Sequence, residues 1–419
     1  MDSPDVIVIG GGPAGSTTAT LLAQGGRRVL LLDREPFPRF RIGESLMPAT
    51  YWTLERLGVV GKMQQSHFPK KYSVQFYSSS GRSSVPFYFF HVDPHESSQT
   101  WQVDRGEFDA LLLEHARSCG VEVQQPVNVK EVRFEGDRAV GVTAEWPDGS
   151  RRELGAQVVV DASGQTGLIS RALRLKEMDP QLRHAAVFTR YRNARRDPGI
   201  DEGATLVLWT RERKSWFWFI PLPGPVTSIG VVGPMDYLVG GRSADPLQVF
   251  QEEVDACTEL KQRLAGAERV MEMKVLRDFS YISSRIAGDG WVLAGDAFGF
   301  LDPIYSSGVL LALTSGELAA DSILDAFRRG DFSAEVLGAH GDRYLTGMEQ
   351  IRKLVYAFYH PHFSFGEFLR AHPDCRDLVT HVLMGNVFRH PVGELFETME
   401  RTIPLPEVRR LGNSPCSSA

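Results

Sequence analysis

Residues 5–15 read Asp-Val-Ile-Val-Ile-Gly-Gly-Gly-Pro-Ala-Gly, and this stretch decides the fold. A continuous apolar run that ends in glycine is typical of a buried parallel strand. Gly10, Gly12 and Gly15 have the spacing Gly-x-Gly-x-x-Gly, and a helix is predicted to follow over 14–24. The pattern indicates the first half of a βαβ unit that binds a dinucleotide.

The second strand of this unit is predicted over 28–33 and ends in Asp33, 18 residues after Gly15. Glycines let the backbone approach a pyrophosphate, the start of a helix offers free N–H groups, and an acid at this distance accepts from a ribose hydroxyl. The predicted cofactor contacts in this region are Gly10, Gly11, Gly12, Ala14, Gly15 and Asp33.

Composition excludes several classes of protein. With 419 residues, 42% of them hydrophobic, the chain is long enough for two domains or one large fold with an inserted lobe. A net charge of −6 argues against a nucleic-acid partner. The four cysteines form no C-x-x-C pair, so we expect no metal site and a reducing cytoplasm. The N-terminus has no signal-type or membrane-spanning segment, so no membrane association is expected.

Two later apolar segments, 158–164 and 291–297, turn sharply at small residues. Each resembles a motif of the FAD monooxygenase-like superfamily, and the resemblance implies FAD as the cofactor. It also places Asp296 at the ribityl chain and Arg105 against the flavin. Without the resemblance, Asp296 is a turn or N-cap aspartate and Arg105 a surface ion-pair residue.

The hexad Trp-Phe-Trp-Phe-Ile-Pro at 216–221 resembles the Trp-x-Trp-x-Ile-Pro signature of flavin-dependent halogenases. Strand alternation predicts Trp216 and Trp218 on one face, with Phe217 and Phe219 on the other. The resemblance implies that the two indoles form a barrier between flavin and substrate. The alternative is a half-buried strand with ordinary core packing.

Residues 39–46, which contain Gly-Glu-Ser, resemble a strap that covers the cofactor in the halogenase-like branch, and this implies cofactor contacts from Arg41 and Ser45. The stretch Phe-Pro-Lys-Lys-Tyr-Ser at 68–73 resembles a Phe-x-Lys-Lys-x-Gly stretch of pyrrole and phenol halogenases, in which the second lysine is catalytic. That lysine is Lys71. Alternation directs Lys70 and Lys71 to opposite faces, so one can point inward, and the alternative is two solvated lysines at a strand edge.

The segment 301–309 precedes a helix predicted over 310–328. Backbone N–H groups at a helix start bind anions, so Ser307 and Gly308 are the predicted halide contacts, with Val309 beside the isoalloxazine. An ordinary serine N-cap is the alternative, and both can hold together. Tryptophan halogenases carry a glutamate where Tyr305 stands, which favours a phenol or pyrrole substrate.

The resemblance implies a phenol- or pyrrole-type halogenase of bacterial secondary metabolism, such as antibiotic biosynthesis. In that family reduced FAD and O2 give a flavin hydroperoxide, chloride is oxidised to hypochlorous acid, and a lysine holds the oxidant. No second Gly-x-Gly-x-x-Gly follows a strand, so either a separate flavin reductase supplies FADH2 or NAD(P)H docks transiently. The aromatic substrate is free or tethered to a carrier protein. The alternatives are a flavin-dependent aromatic hydroxylase or alkene reductase, and a non-catalytic flavoprotein that serves as a docking partner.

The predicted fold is α/β, with a Rossmann-like FAD-binding domain, an inserted β-sheet substrate lobe and a helical C-terminal region. The discontinuous FAD-binding domain is predicted over 1–72, 101–175 and 275–331, the lobe over 73–100 and 176–274, the helical region over 332–411, and a disordered tail over 412–419. The aromatic-rich segment 355–365 either borders a substrate cavity or forms an ordinary helical core.

Overall fold

The structure is a computed structural model, and it describes residues 3–243, 245–277 and 279–412. The strands of these ranges, in chain order, are β1 (Val6–Ile9), β2 (Val29–Leu32), β3 (Lys70–Lys71), β4 (Ser73–Tyr77), β5 (Phe87–Tyr88), β6 (Thr100–Trp101), β7 (Glu122–Gln124), β8 (Asn128–Glu135), β9 (Arg138–Glu145), β10 (Arg151–Gly155), β11 (Val158–Asp161), β12 (Lys176–Met178), β13 (His184–Arg192), β14 (Thr205–Trp209), β15 (Trp216–Pro221), β16 (Val226–Pro234), β17 (Glu268–Arg269), β18 (Lys274–Arg277), β19 (Tyr281–Ser283), β20 (Ala287–Gly288), β21 (Trp291–Leu293) and β22 (Gly299–Phe300).

The α-helices of the same ranges, in chain order, are α1 (Pro13–Gln24), α2 (Thr50–Leu57), α3 (Val60–Gln64), α4 (Arg105–Ser118), α5 (Leu168–Ala172), α6 (Met235–Leu238), α7 (Pro246–Asp255), α8 (Thr258–Arg263), α9 (Gly308–Arg329), α10 (Ala334–Leu337), α11 (Gly341–Tyr359), α12 (Phe365–Ala371), α13 (Cys375–Met384) and α14 (Gly393–Glu400). Within the described ranges, none of the helices is long and apolar enough to cross a membrane.

A six-stranded sheet with the order β20-β21-β11-β1-β2-β7 forms the centre of the α/β part. Its strands pair in parallel except for the β20–β21 hairpin. Every residue of β1, β2 and β11 is buried, as expected for parallel strands that are covered on both faces. The predicted βαβ opening and the predicted fold class are confirmed.

A larger, eight-stranded sheet has the order β17-β13-β16-β15-β14-β4-β5, with β18 beside β13. One face of this sheet contributes to the main core, and the other packs on α7 and α8 in a second core. The hexad strand β15 lies between β14 and β16, so both of its edges are hydrogen-bonded. The hexad is therefore fixed along its whole length.

The chain after residue 332 folds into a helical layer, α10 to α14, and the segment that follows α14 contacts α11, where Arg352 donates to the Glu407 carbonyl at 2.6 Å. In the buried part of the layer, Arg352 pairs with Glu349, and Arg409 donates to Asp179 at 2.6 Å. Of the predicted tail over 412–419, Gly412 alone is described; its N–H donates to the Ser284 carbonyl, and the other residues lie outside the described residues.

Gly15 tests how tightly the glycine-rich loop packs. A Cβ at this position would lie 1.9 Å from the Gly10 carbonyl oxygen. Because that neighbour is backbone, we expect Gly15→Ala to destabilise the fold by about 1–3 kcal/mol and to lower the thermal midpoint. Gly61→Ala on α3 is the matched control, since a Cβ there meets nothing within 4 Å. Equal midpoints for the two variants in a thermal melt would contradict this packing.

Candidate active site

A cavity of about 700 Å³ lies between the glycine-rich loop and the large sheet. Its wall is formed by the loop after β1, the end of β2, the strap 39–45, the start of α9 and the hexad strand β15. The volume lies within the range of about 300–1,000 Å³ that is typical of ligand and cofactor sites. The cavity therefore joins the predicted dinucleotide site to the indoles of the hexad.

The glycine-rich loop forms one part of the wall. Gly10, Gly12, Ala14 and Asp33 line the cavity, whereas Gly11 and Gly15, which were also predicted to contact the cofactor, do not. The Gly11 N–H instead donates to the Asp33 carboxylate at 2.7 Å, which ties the end of β2 to the loop. Helix α1 begins at Pro13, so its free N–H groups face the cavity as an anion site.

Three charged side chains predicted to contact the cofactor also line the cavity. Arg105 is buried rather than on the surface, and Asp109 holds its guanidinium at 2.8 and 3.0 Å. Burial raises the pKa of Asp296 to about 6, against the opposing effect of Arg105 and Lys176. Asp296 lies inside the turn Gly295–Ala297, so it is a turn residue, as one form of the alternative had it, and not an N-cap. Arg41 is partly exposed and pairs with Glu35 at 2.9 Å.

The start of α9 differs from the predicted one by two residues, because the helix begins at Gly308. Gly308 and Val309 line the cavity as expected. Ser307 is buried and does not, and its side chain forms no capping hydrogen bond. Ser306, which no sequence pattern indicated, lines the cavity; its backbone is left-handed (φ 57°) and forms a turn just before the helix.

The hexad shows the predicted alternation. Trp216 and Trp218 line the cavity, while Phe217 and Phe219 belong to the second core on the opposite face. The hexad is a fully buried central strand rather than a half-buried one. Two large indoles therefore cover the part of the sheet that faces the cavity.

A series of hydrogen bonds behind the two indoles fixes the orientation of Trp216. Its indole Nε1 donates to the Tyr359 hydroxyl at 2.8 Å, and that hydroxyl donates to Asp302 Oδ1 at 2.9 Å. His184 Nδ1 donates to Asp302 Oδ2 at 2.9 Å. The aromatic-rich segment 355–365 thus supports the indole from behind. The sequence pattern did not predict this contact, because Trp216 and Tyr359 are 143 residues apart.

Lys71 is buried, with 1% of its surface exposed, whereas its neighbour Lys70 is exposed. The Lys71 Nζ donates to Ser45 Oγ at 2.9 Å and to the Leu46 carbonyl at 3.1 Å, and lies 5.7 Å from the centre of the Phe89 ring. Burial lowers the pKa of Lys71 to about 7. The alternative of two solvated edge lysines is therefore wrong for Lys71. Ser45 lines the cavity and Lys71 lies directly behind it.

The residues of the cavity fit FAD. Two helix starts, at Pro13 and Gly308, offer free N–H groups to anionic oxygens. Gly43 has a φ of 101°, and a Cβ there would lie 2.8 Å from the Arg105 guanidinium. Because glycine has no side chain, the strap can pass this close to Arg105 along the cavity. In agreement with this geometry, residues 3–337 match the family model described as "FAD binding domain". The fold and site thus define an FAD-dependent protein.

Similar proteins narrow the class. The chain is 32% identical to a 1H-pyrrole-2-carbonyl-[peptidyl-carrier protein] chlorinase of Pseudomonas fluorescens, over 96% of this chain and 94% of that one. It is 33% identical to the corresponding brominase of Pseudoalteromonas luteoviolacea, over 92% and 93%. The solved structure of the flavin-dependent brominase Bmp2 superposes with a TM-score of 0.85 at 31% identity, over 95% and 98%. The chain belongs to the flavin-dependent halogenases, which are FAD-dependent oxidoreductases.

The lowered pKa of Lys71 predicts a pH-dependent stability. Below about pH 7 the lysine is protonated in both the folded and the unfolded state, so the folded protein carries the full penalty of burying the charge. Between about pH 7 and 10.5 the folded state binds fewer protons, and its stability rises by up to about 1.4 kcal/mol per pH unit. Lys71→Met should therefore be more stable than the wild type at pH 6, by a margin that shrinks as the pH rises.

Urea unfolding of both proteins between pH 6 and 9.5 measures this margin, with Lys70→Met as the exposed control. A margin that does not change with pH would mean that Lys71 titrates normally.

Proposed function

We propose that this protein is a reduced-FAD- and O2-dependent chlorinase of an electron-rich aromatic ring, and that Lys71 carries the halogen to the ring. One observation carries the proposal: the buried Lys71 side chain, with a pKa of about 7, lies directly behind the wall of a cavity that Trp216 and Trp218 cover. An amine that is partly neutral near pH 7 is a nucleophile, and exclusion of water protects a reactive halogen species from side reactions.

Two observations support the proposed substrate class: the names of two relatives and the environment of Tyr305. The two relatives matched over more than nine tenths of their length are named for pyrrole rings held on carrier proteins. Tyr305 is buried, and its hydroxyl donates to the Leu354 carbonyl at 3.2 Å, so it presents no acid to the cavity. We therefore propose a pyrrolic or phenolic ring, with a pyrrole-2-carboxyl thioester on a carrier protein as the first candidate.

In this proposal the oxidant forms in the cavity, and the lysine that receives it lies behind the cavity wall. Reduced FAD, when bound, would supply the two electrons that bring O2 to the peroxide level, and that oxygen species would be the oxidant that converts chloride to hypochlorous acid. The backbone N–H groups at Gly308 and Val309 offer a site for the halide beside the cofactor. Trp216 and Trp218 keep the ring away from direct oxygen transfer, which favours halogenation over the hydroxylase alternative.

Lys71 acts after the oxidant has formed. Its neutral amine takes chlorine from hypochlorous acid, giving a chloramine and water, and the aromatic ring then takes the chlorine and returns its proton to the nitrogen. The ammonium form can alternatively hold hypochlorous acid by a hydrogen bond. In both cases the lysine converts a diffusible oxidant into one that reacts at a fixed point.

Reduced FAD comes, in this proposal, from a separate flavin reductase, because no second Gly-x-Gly-x-x-Gly follows a strand in the sequence. Stopped-flow absorbance with NADH or NADPH and FAD, with and without an added reductase, distinguishes this arrangement from transient docking of the nicotinamide. Rapid flavin reduction without a reductase would contradict it.

Lys71→Ala tests the proposal directly. We expect halogenated product to fall by about 100-fold or more, because the halogen carrier is lost, while reduced FAD and O2 are still consumed. Mass spectrometry of carrier-bound pyrrole and of free phenols, with a reductase and isotopic chloride or bromide, measures product and halide preference. Lys70→Ala, one residue away and exposed, is the matched control and should keep its activity.

Three outcomes would contradict the proposal. They are an active Lys71→Ala variant, a hydroxylated product from the wild type, and the absence of any aryl halide from wild-type protein that binds and turns over FAD. The last result would favour a non-catalytic docking role.

A further inference from the structure

Two hydroxyl groups connect Lys71 to the flavin cavity. Ser45 Oγ accepts from the Lys71 Nζ at 2.9 Å and lies 2.8 Å from Thr205 Oγ1. Ser45 and Thr205 both line the cavity, whereas Lys71 does not. Thr205 begins β14, and Val207, two residues further on, faces the cavity as well, directly opposite Trp218 in the sheet. The two hydroxyls therefore stand between the lysine and the space for the cofactor, beside the indole barrier.

The hydrogen-bonded series Lys71–Ser45–Thr205 has more hydroxyl hydrogens than acceptors when the lysine is charged. Gln102 Nε2 uses both of its hydrogens, on the Gly203 carbonyl at 2.8 Å and on Thr205 Oγ1 at 2.9 Å. When Lys71 is an ammonium it donates to Ser45, and one hydroxyl hydrogen joins Ser45 to Thr205. The other hydroxyl hydrogen then has no acceptor among the described residues, and it belongs to a group on the cavity wall.

When Lys71 is a neutral amine, the donor and acceptor roles in this series of hydrogen bonds are reversed. The Lys71 lone pair then accepts from Ser45, Ser45 accepts from Thr205, and every hydroxyl hydrogen has a partner. Both protonation states of the lysine are thus compatible with the same heavy-atom positions. They differ in whether the chain offers a hydrogen to the cavity, and such a reversible chain is what proton transfer between two sites requires.

We infer that Ser45 and Thr205 form a proton relay between Lys71 and the flavin cavity; this inference rests on the proposed function. In one transfer a proton passes from the Lys71 Nζ to Ser45 Oγ as the Ser45 hydrogen passes to Thr205 Oγ1. The Thr205 hydrogen passes at the same time to an oxygen base in the cavity. One proton moves in total, no electrons move, and both hydroxyls end the step as hydroxyls.

Formation of hypochlorous acid consumes a proton, and the relay can deliver it. Chloride, O2 and FADH2 give hypochlorous acid, water and FAD only if one further proton is consumed. The relay delivers that proton from Lys71, and the same loss turns the ammonium into the amine that takes chlorine from hypochlorous acid. Formation of the oxidant in the cavity is thereby coupled to activation of its acceptor behind the wall.

The surroundings of Lys71 support this coupling. Burial alone lowers the pKa of Lys71 to about 7, so a proton leaves the lysine at little expense near neutral pH. The nearby carboxylates are held elsewhere: Glu44 pairs with Arg190 at 2.8 Å, and Asp201 accepts from Ser73 and Tyr88 at 3.2 and 2.7 Å. Neutral oxygens are the groups that contact the Lys71 Nζ.

Thr205→Val tests the relay, because it removes the hydroxyl and keeps the shape of the side chain. We expect product formation to fall by about 100-fold while reduced FAD is still oxidised, and Thr205→Ser to stay within about threefold of the wild type. Thr189→Val is the matched control. Thr189 is equally buried on β13 of the same sheet, does not line the cavity, and donates to the Met271 carbonyl. Thermal midpoint and FAD affinity are measured for all variants.

A second readout needs neither FAD nor substrate. With nine lysines in the chain, ¹⁵N-lysine labelling lets NMR follow the exchange of the Lys71 Nζ hydrogens with water. At pH 6–7 we expect this exchange to slow about tenfold or more in Thr205→Val and to remain unchanged in Thr189→Val and Thr205→Ser. If Thr205→Val does not fold, Ser45→Ala carries the same two measurements.

Unchanged exchange and product in Thr205→Val, or equal losses in Thr205→Ser, would overturn the relay. An inactive Lys71→Ala variant beside a fully active Thr205→Val would overturn the relay alone. An active Lys71→Ala variant would overturn the proposed function itself.

Discussion

The burial of the Lys71 ammonium group without a counter-ion among the described residues is the constraint on which the site depends. Removing a cation from water costs several kcal/mol, and an opposite charge usually compensates for it. Lys71 instead has a hydroxyl, a backbone carbonyl and the face of an aromatic ring. These groups stabilise the charge only in part, so the lysine is close to losing its proton near pH 7. Any rearrangement that admitted water would restore an ordinary, fully charged lysine.

Several distant parts of the chain must meet to keep this environment closed. The strap supplies Ser45, which pairs with Gln102 across an isolated bridge, and Lys71 on β3 pairs with Thr100 on β6. Thr205 belongs to β14, which pairs in parallel with β4. The eight-stranded sheet thus contains both β4, which directly follows Lys71, and the hexad strand β15. The same framework that buries the lysine also positions the two indoles.

The two indoles of the hexad, which form the proposed barrier, are held in place by different neighbours. Trp216 is held through its indole N–H by Tyr359, whose own hydroxyl is fixed by Asp302. Trp218 packs onto Gly230 of β16, where a Cβ would lie 2.2 Å from the indole ring. Both indole N–H groups are hydrogen-bonded, since Trp218 donates to Ser228 Oγ at 3.2 Å, and the close contact of its ring with Gly230 restricts it further. In the proposed mechanism, an indole that could rotate would open a passage between the cofactor and the aromatic substrate.

Features with local periodicity could be predicted from the sequence. The glycine spacing, the buried parallel strands, the two faces of the hexad and the opposite orientation of Lys70 and Lys71 all follow from periods of two residues or from fixed spacings. The halide contact at Ser307 stays a prediction, and the sequence did not indicate Ser306, which lines the cavity and forms a left-handed turn just before α9. Local patterns carry no information about such a turn when the residue is not glycine.

The residues that complete the site could not be predicted, because long-range pairing brings them together. Ser45 and Thr205 are 160 residues apart, and a threonine at the start of a strand has no sequence signature. Their neutrality is nevertheless what the buried lysine requires. A carboxylate in place of either hydroxyl would raise the pKa of Lys71 and keep it charged, whereas the proposed chloramine route needs the neutral amine. A hydroxyl can accept from an ammonium and donate to an amine, so it is compatible with both protonation states of the lysine.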